Sequence, residues 1–187
     1  MKKIFILVGP SGSGKTTLGE YLKSTGIPEL VSHTTRKKRK GEIDGITYHF
    51  ISKEEFEALE KIEYSEYDGN FYCLSKKEVE EKLLKFNSVF AITDIYGAKQ
   101  IKKQYPNEVV SIFIETTIDE MVDRMKKRGD SKENIASRVA HAIISDELEN
   151  GKYCDYIIRN DKLQKAKLAL NRIIQLEHLE NVNYPTL

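Results

Sequence analysis

Near its start the chain carries Gly9-Pro10-Ser11-Gly12-Ser13-Gly14-Lys15-Thr16, a glycine and a Gly-Lys-Thr separated by four free residues, with Thr17 following. The run before it, Ile4-Phe5-Ile6-Leu7-Val8, is apolar, too short for a helix and partly β-branched. It reads as a buried strand of a parallel sheet. After the glycines, Leu18, Tyr21 and Leu22 recur at helical spacing, so a helix is expected from about Lys15 to Ser24. Glycines between a strand and a helix start let successive N–H groups turn inward, and the helix N-terminus adds positive potential. That is a cradle for a phosphate chain. In it Lys15 reaches the β- and γ-phosphates and the Thr16 hydroxyl ligates Mg²⁺. A bare glycine-rich turn is the plain alternative, and the flanking strand and helix argue against it. The chain is therefore expected to bind a nucleoside triphosphate.

A chain of 187 residues with 40% hydrophobic and 32% charged residues fits one soluble domain with room for insertions. The formal net charge of +1 removes any global case for nucleic acid or an acidic membrane. Cys73 and Cys154 have no metal-binding spacing and fit a reducing cytoplasm. Met1-Lys2-Lys3 leads directly into the first strand, not into a signal sequence. No apolar run approaches the ~20 residues of a membrane span.

Further along, Gly26-Ile27-Pro28 ends the first helix and Leu30-Val31 allows a short strand. The polar, basic stretch from Ser32 to Gly45 reads as a loop, and Thr47 to Ile51 alternates like a strand. Ser52 with Glu55 forms a capping box for a helix near Lys53 to Lys61. Ile62–Tyr67 and Phe71–Leu74 flank Asp68-Gly69-Asn70 as a hairpin, and Ser75 with Glu78 opens a helix to about Lys85. Strands are then expected at Ser88–Asp94, Val109–Glu115 and Asp155–Arg159. Helices are expected at Gly97–Gln104, Asp119–Lys127 and Lys132–Asn150, the last with Ile135, Val139, Ala142, Ile143 and Leu148 facing inward. A final helix spans Leu163 to Leu179, with Ala166, Leu170, Ile173, Ile174 and Leu176 as its inner face. The tail 181–187 carries no signal. With the glycine loop, the alternation predicts an α/β fold of the P-loop type, a doubly wound parallel sheet with a small α+β insertion. Beside a bound triphosphate the arginine-bearing stretch Arg124 to Arg138, otherwise a surface helix, becomes a candidate short lid.

Phosphoryl transfer asks chiefly for positioning and for positive charge around the moving group. Two arginine clusters lie outside the glycine loop. One is Arg36-Lys37-Lys38-Arg39-Lys40, set among hydroxyls and followed by Tyr48; the other is Arg124, Arg128 and Arg138. A solvated charge run is the bland reading of the first. Arginine forks with nearby O–H donors are also what a phosphate monoester needs.

The chain resembles guanylate kinase along nearly its whole length. The glycine loop has the family form, and Ser32 to Phe50 reproduces the fixed positions Ser-x-Thr-Thr-Arg-x-x-Arg-x-Gly-Glu-x-x-Gly-x-x-Tyr-x-Phe. Glu63, Gly69-Asn70-Phe71-Tyr72, Asp94, the three lid arginines and Asn160-Asp161 follow in register. The resemblance implies ATP and GMP as substrates, with Gly9 to Thr17 holding ATP and Asn160 beside adenine. Ser32, Arg36, Arg39, Tyr48 and Tyr72 would hold the GMP phosphate, and Glu42 would orient that arginine loop. Glu63 would accept from guanine N1–H and the 2-amino group, and Asp94 would touch the base side or the metal's water shell. Lys15, Arg36, Arg124, Arg128 and Arg138 would be the catalytic set, with the arginines closing over the moving phosphoryl. The implied division is a core of 1–31 and 86–187, an insertion of 32–85 for the monophosphate, and a lid near 126–138.

The chain departs from the pattern at Cys73 and Leu74, Ile92, Tyr96 and a lid loop one residue short. Leu74 stands where the family carries a hydroxyl for guanine O6, so Leu74→Thr is expected to tighten GMP binding. Three other readings remain at this point. They are a kinase of the same fold with another monophosphate acceptor, an inactive interaction domain of this fold, and a nucleic-acid module.

Overall fold

The computed structural model describes residues 2–39, 41–67 and 69–179. Lys40 of the basic run, Asp68 of the expected hairpin turn and the tail 181–187 lie outside the described residues.

Strand β1 (Lys3–Val8) is buried at every position, and its alternation supplies both faces of the core. Ile4, Ile6 and Val8 pack into one cluster with Ala98 and Ile101, whereas Phe5 and Leu7 pack into another with Leu18, Leu22, Leu170 and Ile173. Covering both faces with helices is what allows an all-parallel sheet. The sheet runs β6 (Ser88–Ile92), β1, β7 (Val109–Glu115), β8 (Tyr156–Arg159), all neighbours parallel. The expected strand at Leu30-Val31 contracts to one parallel bridge between Glu29 and Phe90, because Pro28 and the turn into the next sheet leave no length for more. Helix α1 (Lys15–Ser24) follows β1, as the apolar spacing predicts.

A second sheet lies between α1 and α3 (Lys76–Lys85), in the order β3 (His49–Phe50), β2 (His33–Thr34), β5 (Asn70–Ser75), β4 (Lys61–Tyr67). The stretch read as loop from Ser32 thus contains a short strand. Thr34 and Thr35 fix it there: Thr34 Oγ1 donates to Phe71 O and Thr35 Oγ1 accepts from Phe71 N–H, both at 3.0 Å. Helix α2 (Lys53–Ala58) has the predicted capping box in full and stops short of Lys61, which instead begins β4. Helix α4 (Ile95–Gln104) is capped by Asp94 and follows β6, which ends at Ile92.

Helix α5 (Ile118–Arg128) ends at Gly129, whose φ of 90° is the left-handed cap that glycine adopts without strain. Helix α6 (Lys132–Ile144) ends six residues earlier than its apolar spacing implies. Asp146 turns left-handed at φ 49° and the chain continues as a 3₁₀ segment, Glu147–Tyr153. Ile143 is consequently 53% exposed and not an inward residue. Helix α7 (Leu163–Leu179) buries Ala166, Leu170 and Ile173, while Leu176 faces outward and Glu177 takes an inward place. Glu177 belongs inside because Lys3 Nζ donates to it at 2.8 Å and Tyr156 Oη at 2.8 Å. Among the described residues no helix is long and apolar enough to cross a membrane.

Candidate active site

The glycine loop leaves the carboxyl end of β1, the edge at which parallel α/β sheets place their ligands. Gly9, Gly12 and Gly14 all have positive φ, at 152°, 76° and 102°. Gly14 is also sterically required: a Cβ there would lie 2.3 Å from Asn160 Nδ2. Asn160 is buried and donates that amide to Ser13 O at 2.7 Å. It therefore braces the loop from beneath. Ser13 is likewise occupied by the loop's own shape, its N–H reaching Pro10 O at 3.2 Å.

Arg124 meets the same loop. Its Nη1 donates to Gly12 O at 3.1 Å and Ser13 O at 3.0 Å, and Nη2 donates to Asn160 O. In this structure Arg124 is a strut. Arg138 behaves differently, donating from α6 to Ser11 Oγ at 2.8 Å. Arg128 is paired with Asp130, its Nε 2.9 Å from Oδ1. Together with Lys15, Thr16 and Thr17 these three arginines line a cleft of about 430 Å³. Lys15 Nζ donates to Gly9 O at 2.5 Å and Pro10 O at 2.9 Å. Burial lowers its pKa to about 8; Glu147 acts in the opposite sense and Arg138 in the same sense. Among the described residues the ammonium has no close carboxylate partner, a state that an incoming polyphosphate relieves.

A second cleft of about 420 Å³ begins at Thr16 and is lined by Ser32, Thr47, Tyr48 and Ile92. Thr16 lines both, so the two clefts meet at that residue, one at the glycine loop and the other towards Ser32 and Tyr48, and together they make the trough of the site. Beside Tyr48 lies the first arginine cluster. Arg36 makes a bidentate pair with Glu42, Nη1 to Oε2 at 3.1 Å and Nη2 to Oε1 at 2.7 Å. Its guanidinium stands over the Tyr48 and Phe50 rings, 5.6 and 5.7 Å from their centroids. Glu42 also accepts from the Arg39 N–H at 2.7 Å, so one carboxylate folds the basic run into a turn. The Arg36 guanidinium and the Arg39 N–H hold Glu42 below the usual carboxylate range. Tyr72 joins the cluster edge-on to Tyr48, with centroids 5.8 Å apart. Burial, then Tyr72, raises the Tyr48 pKa, which keeps its phenol a proton donor. The Arg39 side chain is exposed.

Glu63 lies on β4 opposite Leu74, 8% exposed. Burial and then Asp94 push its pKa up to about 7. Asp94 has one oxygen committed to α4, Oδ1 accepting from Gly97 N–H at 2.8 Å. Leu74 is 2% exposed and packs with Ile62, Val79 and Leu83. A threonine there would place a hydroxyl in that cluster at a cost of about 1–3 kcal/mol if unpaired. The expected gain in GMP affinity from Leu74→Thr is therefore withdrawn. Ser75, the next residue in sequence, accepts from Glu78 N–H as the α3 cap.

Two neighbours of the site escaped the sequence reading. Thr116 Oγ1 lies 3.4 Å from Arg124 Nη1, and Glu147 acts on Lys15 from the 3₁₀ segment. Neither carries a motif; each arrives through a tertiary turn.

A guanylate kinase family model matches residues 1–177. A guanylate kinase of Oceanobacillus iheyensis is 38% identical over 184 residues, covering 95% of this chain and 88% of that protein. One of Carboxydothermus hydrogenoformans is 36% identical, covering 98% and 94%. The crystal structure of guanylate kinase from Anaplasma phagocytophilum superposes with a TM-score of 0.74 at 29% identity, over 96% of this chain and 88% of that one. With the glycine loop, the arginine–tyrosine cluster and the trough between them already in place, these likenesses settle the lineage: the chain belongs to the guanylate kinase family.

Proposed function

We propose that this chain transfers the γ-phosphoryl group of ATP to GMP, giving ADP and GDP, within purine nucleotide metabolism in the cytoplasm. The observation that carries the reading is a pair of clefts that meet at Thr16, one lined by the glycine loop and the other by Ser32 and Tyr48, with Arg36 and Tyr72 packed against Tyr48. ATP lies along the glycine loop with Lys15 on its β- and γ-phosphates. The GMP phosphate lies among Ser32, Arg36, Arg39, Tyr48 and Tyr72, and Glu63 takes the guanine edge. dGMP is accepted by the same contacts, since none of the named residues is assigned to the ribose. The intact Lys15, Thr16 and lid arginines support transfer over a purely adhesive role.

Mg²⁺ fits this donor set. The ion keeps several waters and takes few protein ligands beside substrate phosphates. Thr16 is exposed at the second position of α1. No cluster of three His, Cys, Asp or Glu that could form a protein cage occurs among the described residues. Thr16 would hold the ion, which when bound neutralises charge on the phosphates. The protein's own contribution is orientation and charge: Lys15 and Arg138 at one end, and Arg36 at the other.

An ADP-release assay across all nucleoside monophosphates tests the assignment. GMP is expected to turn over fastest; a higher kcat/KM for AMP or a pyrimidine monophosphate would overturn it. Arg36→Ala and Arg39→Ala are each expected to raise the GMP KM and spare the ATP KM. Each loses a charge-assisted contact on the order of 1.5–3 kcal/mol, so roughly 10- to 150-fold. The larger effect should be at Arg36, whose fork is already oriented by Glu42. A selective rise in the ATP KM would mean that the two ends of the trough are reversed.

The insertion of 32–85 and the lid near 126–138 are read as moving parts on the core of 1–31 and 86–187. They are expected to close over the trough when both nucleotides are bound, because water would otherwise accept the phosphoryl group. Small-angle scattering should show a smaller radius of gyration for the doubly liganded protein. An unchanged profile would count against closure.

A further inference from the structure

We propose that Glu78 is the positioning residue for the acceptor phosphate site, tying together the two chain segments that carry Ser32 and Tyr48. The proposal rests on the reading of Ser32 and Tyr48 as phosphate ligands. Glu78 lies on α3, outside the trough, and its side chain is 11% exposed. Its Oε1 accepts from the Val31 N–H at 2.8 Å, one residue before Ser32. Its Oε2 lies 3.4 Å from His49 Nε2, one residue after Tyr48. The same two segments meet directly, His49 N–H donating to Ser32 O at 2.9 Å, and the His33 and His49 rings stack at 4.5 Å. A single carboxylate therefore stands behind both arms of the site.

The carboxylate is itself held. Lys82 Nζ lies 2.6 Å from Oε1 and also donates to Glu29 O in the segment leaving the core. Burial raises the Glu78 pKa, but the Lys82 ammonium and the Val31 N–H outweigh it, leaving an ionised acceptor. The backbone N–H of Glu78 bonds Ser75 Oγ at 3.2 Å, which fixes where the side chain starts. A residue whose only task is to favour the first turn of α3 would need none of the contacts to Val31 and His49. Small displacements of groups that orient a substrate carry large effects, so the loss should appear in acceptor use.

The test is a KM–kcat split on the full chain. Glu78→Ala should raise the GMP KM about tenfold, with the ATP KM within about twofold of wild type. Glu78→Gln keeps an acceptor for the Val31 N–H and should recover most of that loss, leaving the GMP KM about two- to threefold above wild type. Should Glu78→Ala fail to fold, Glu78→Gln decides through the same split, with a GMP-selective rise expected and an unaltered GMP KM overturning the proposal. Equal rises for both nucleotides, or an unchanged GMP KM in folded Glu78→Ala, would also overturn it. Tyr48→Phe measured alongside separates the two claims. If it raises the GMP KM while the Glu78 variants do not, the positioning role falls and the phosphate site stands. If Tyr48→Phe leaves the GMP KM unchanged, the phosphate-site reading falls and takes the proposal with it.

Discussion

Lys15→Ala is expected to lower kcat by on the order of 10²–10³-fold or more, the usual effect of removing one preorganised charge from a developing negative one. The fold should survive. Lys15 contributes two hydrogen bonds, to Gly9 O and Pro10 O, and no apolar packing to either main cluster. Against those bonds stands the cost of keeping a buried ammonium ionised, which burial makes plain by lowering its pKa from 10.5 to about 8. For a base whose folded pKa lies below its unfolded value, that cost is complete below pH about 8 and disappears above about 10.5. At neutral pH the bonds lost and the charge relieved oppose each other, so the melting temperature should move little. The measurements are turnover in the ADP-release assay and a thermal melt of the same sample. Near wild-type turnover in a folded variant would remove Lys15 from the reaction.

Local patterns made much of this fold legible. β1, the glycine loop and α1 are consecutive, and each announces itself by apolar spacing or by glycine. The caps at Ser52/Glu55 and Ser75/Glu78 mark helix starts that the structure reproduces. The end of α6 was not legible, because Ile143 and Ile144 continue the apolar period and only the left-handed Asp146 breaks it. The short strand His33–Thr34 was hidden for a related reason. Its partners are His49–Phe50 and Tyr72–Cys73, and two residues just before a basic run give no alternation. Within the site, residue types were readable and destinations were not. Arg124 binds backbone carbonyls 111 and 112 residues away in sequence, and Asn160 binds one 147 away. Glu78 reads locally as a first-turn helix carboxylate, and its bond to Val31 spans 47 residues. A nearby cap is a local choice; a distant backbone acceptor is set by how sheets and helices stack.

Glu63→Gln is expected to make the free protein more stable at alkaline pH and to damage GMP use. The carboxyl of Glu63 is 8% exposed, and its pKa is raised from 4.5 to about 7, first by burial and then by Asp94. The Leu74 backbone bond acts the other way but does not cancel them. A folded acid with a raised pKa holds its proton more tightly than the unfolded chain. Its penalty is therefore absent below pH about 4.5, grows as pH rises, and is complete above about 7. The rise corresponds to about 3 kcal/mol at most. A neutral amide of similar shape avoids it, so the variant should gain stability on that order at pH 8 and none near pH 4.5. Binding runs in the opposite direction. In the proposed GMP site the ionised carboxylate would offer two acceptors to the N1–H and 2-amino donors of guanine, each such bond to a charge being worth about 1.5–3 kcal/mol. Glutamine presents an NH₂ where one acceptor is needed, so the GMP KM should rise on the order of 10²-fold or more while the ATP KM holds. Denaturant melts at pH 4.5 and 8, run with KM for both nucleotides, check the two halves together. A variant that is less stable at pH 8 and keeps its GMP KM would show that Glu63 is a structural carboxylate. The expected pairing, a stabler fold that no longer selects guanine, would mark Glu63 as strain kept at the site for function.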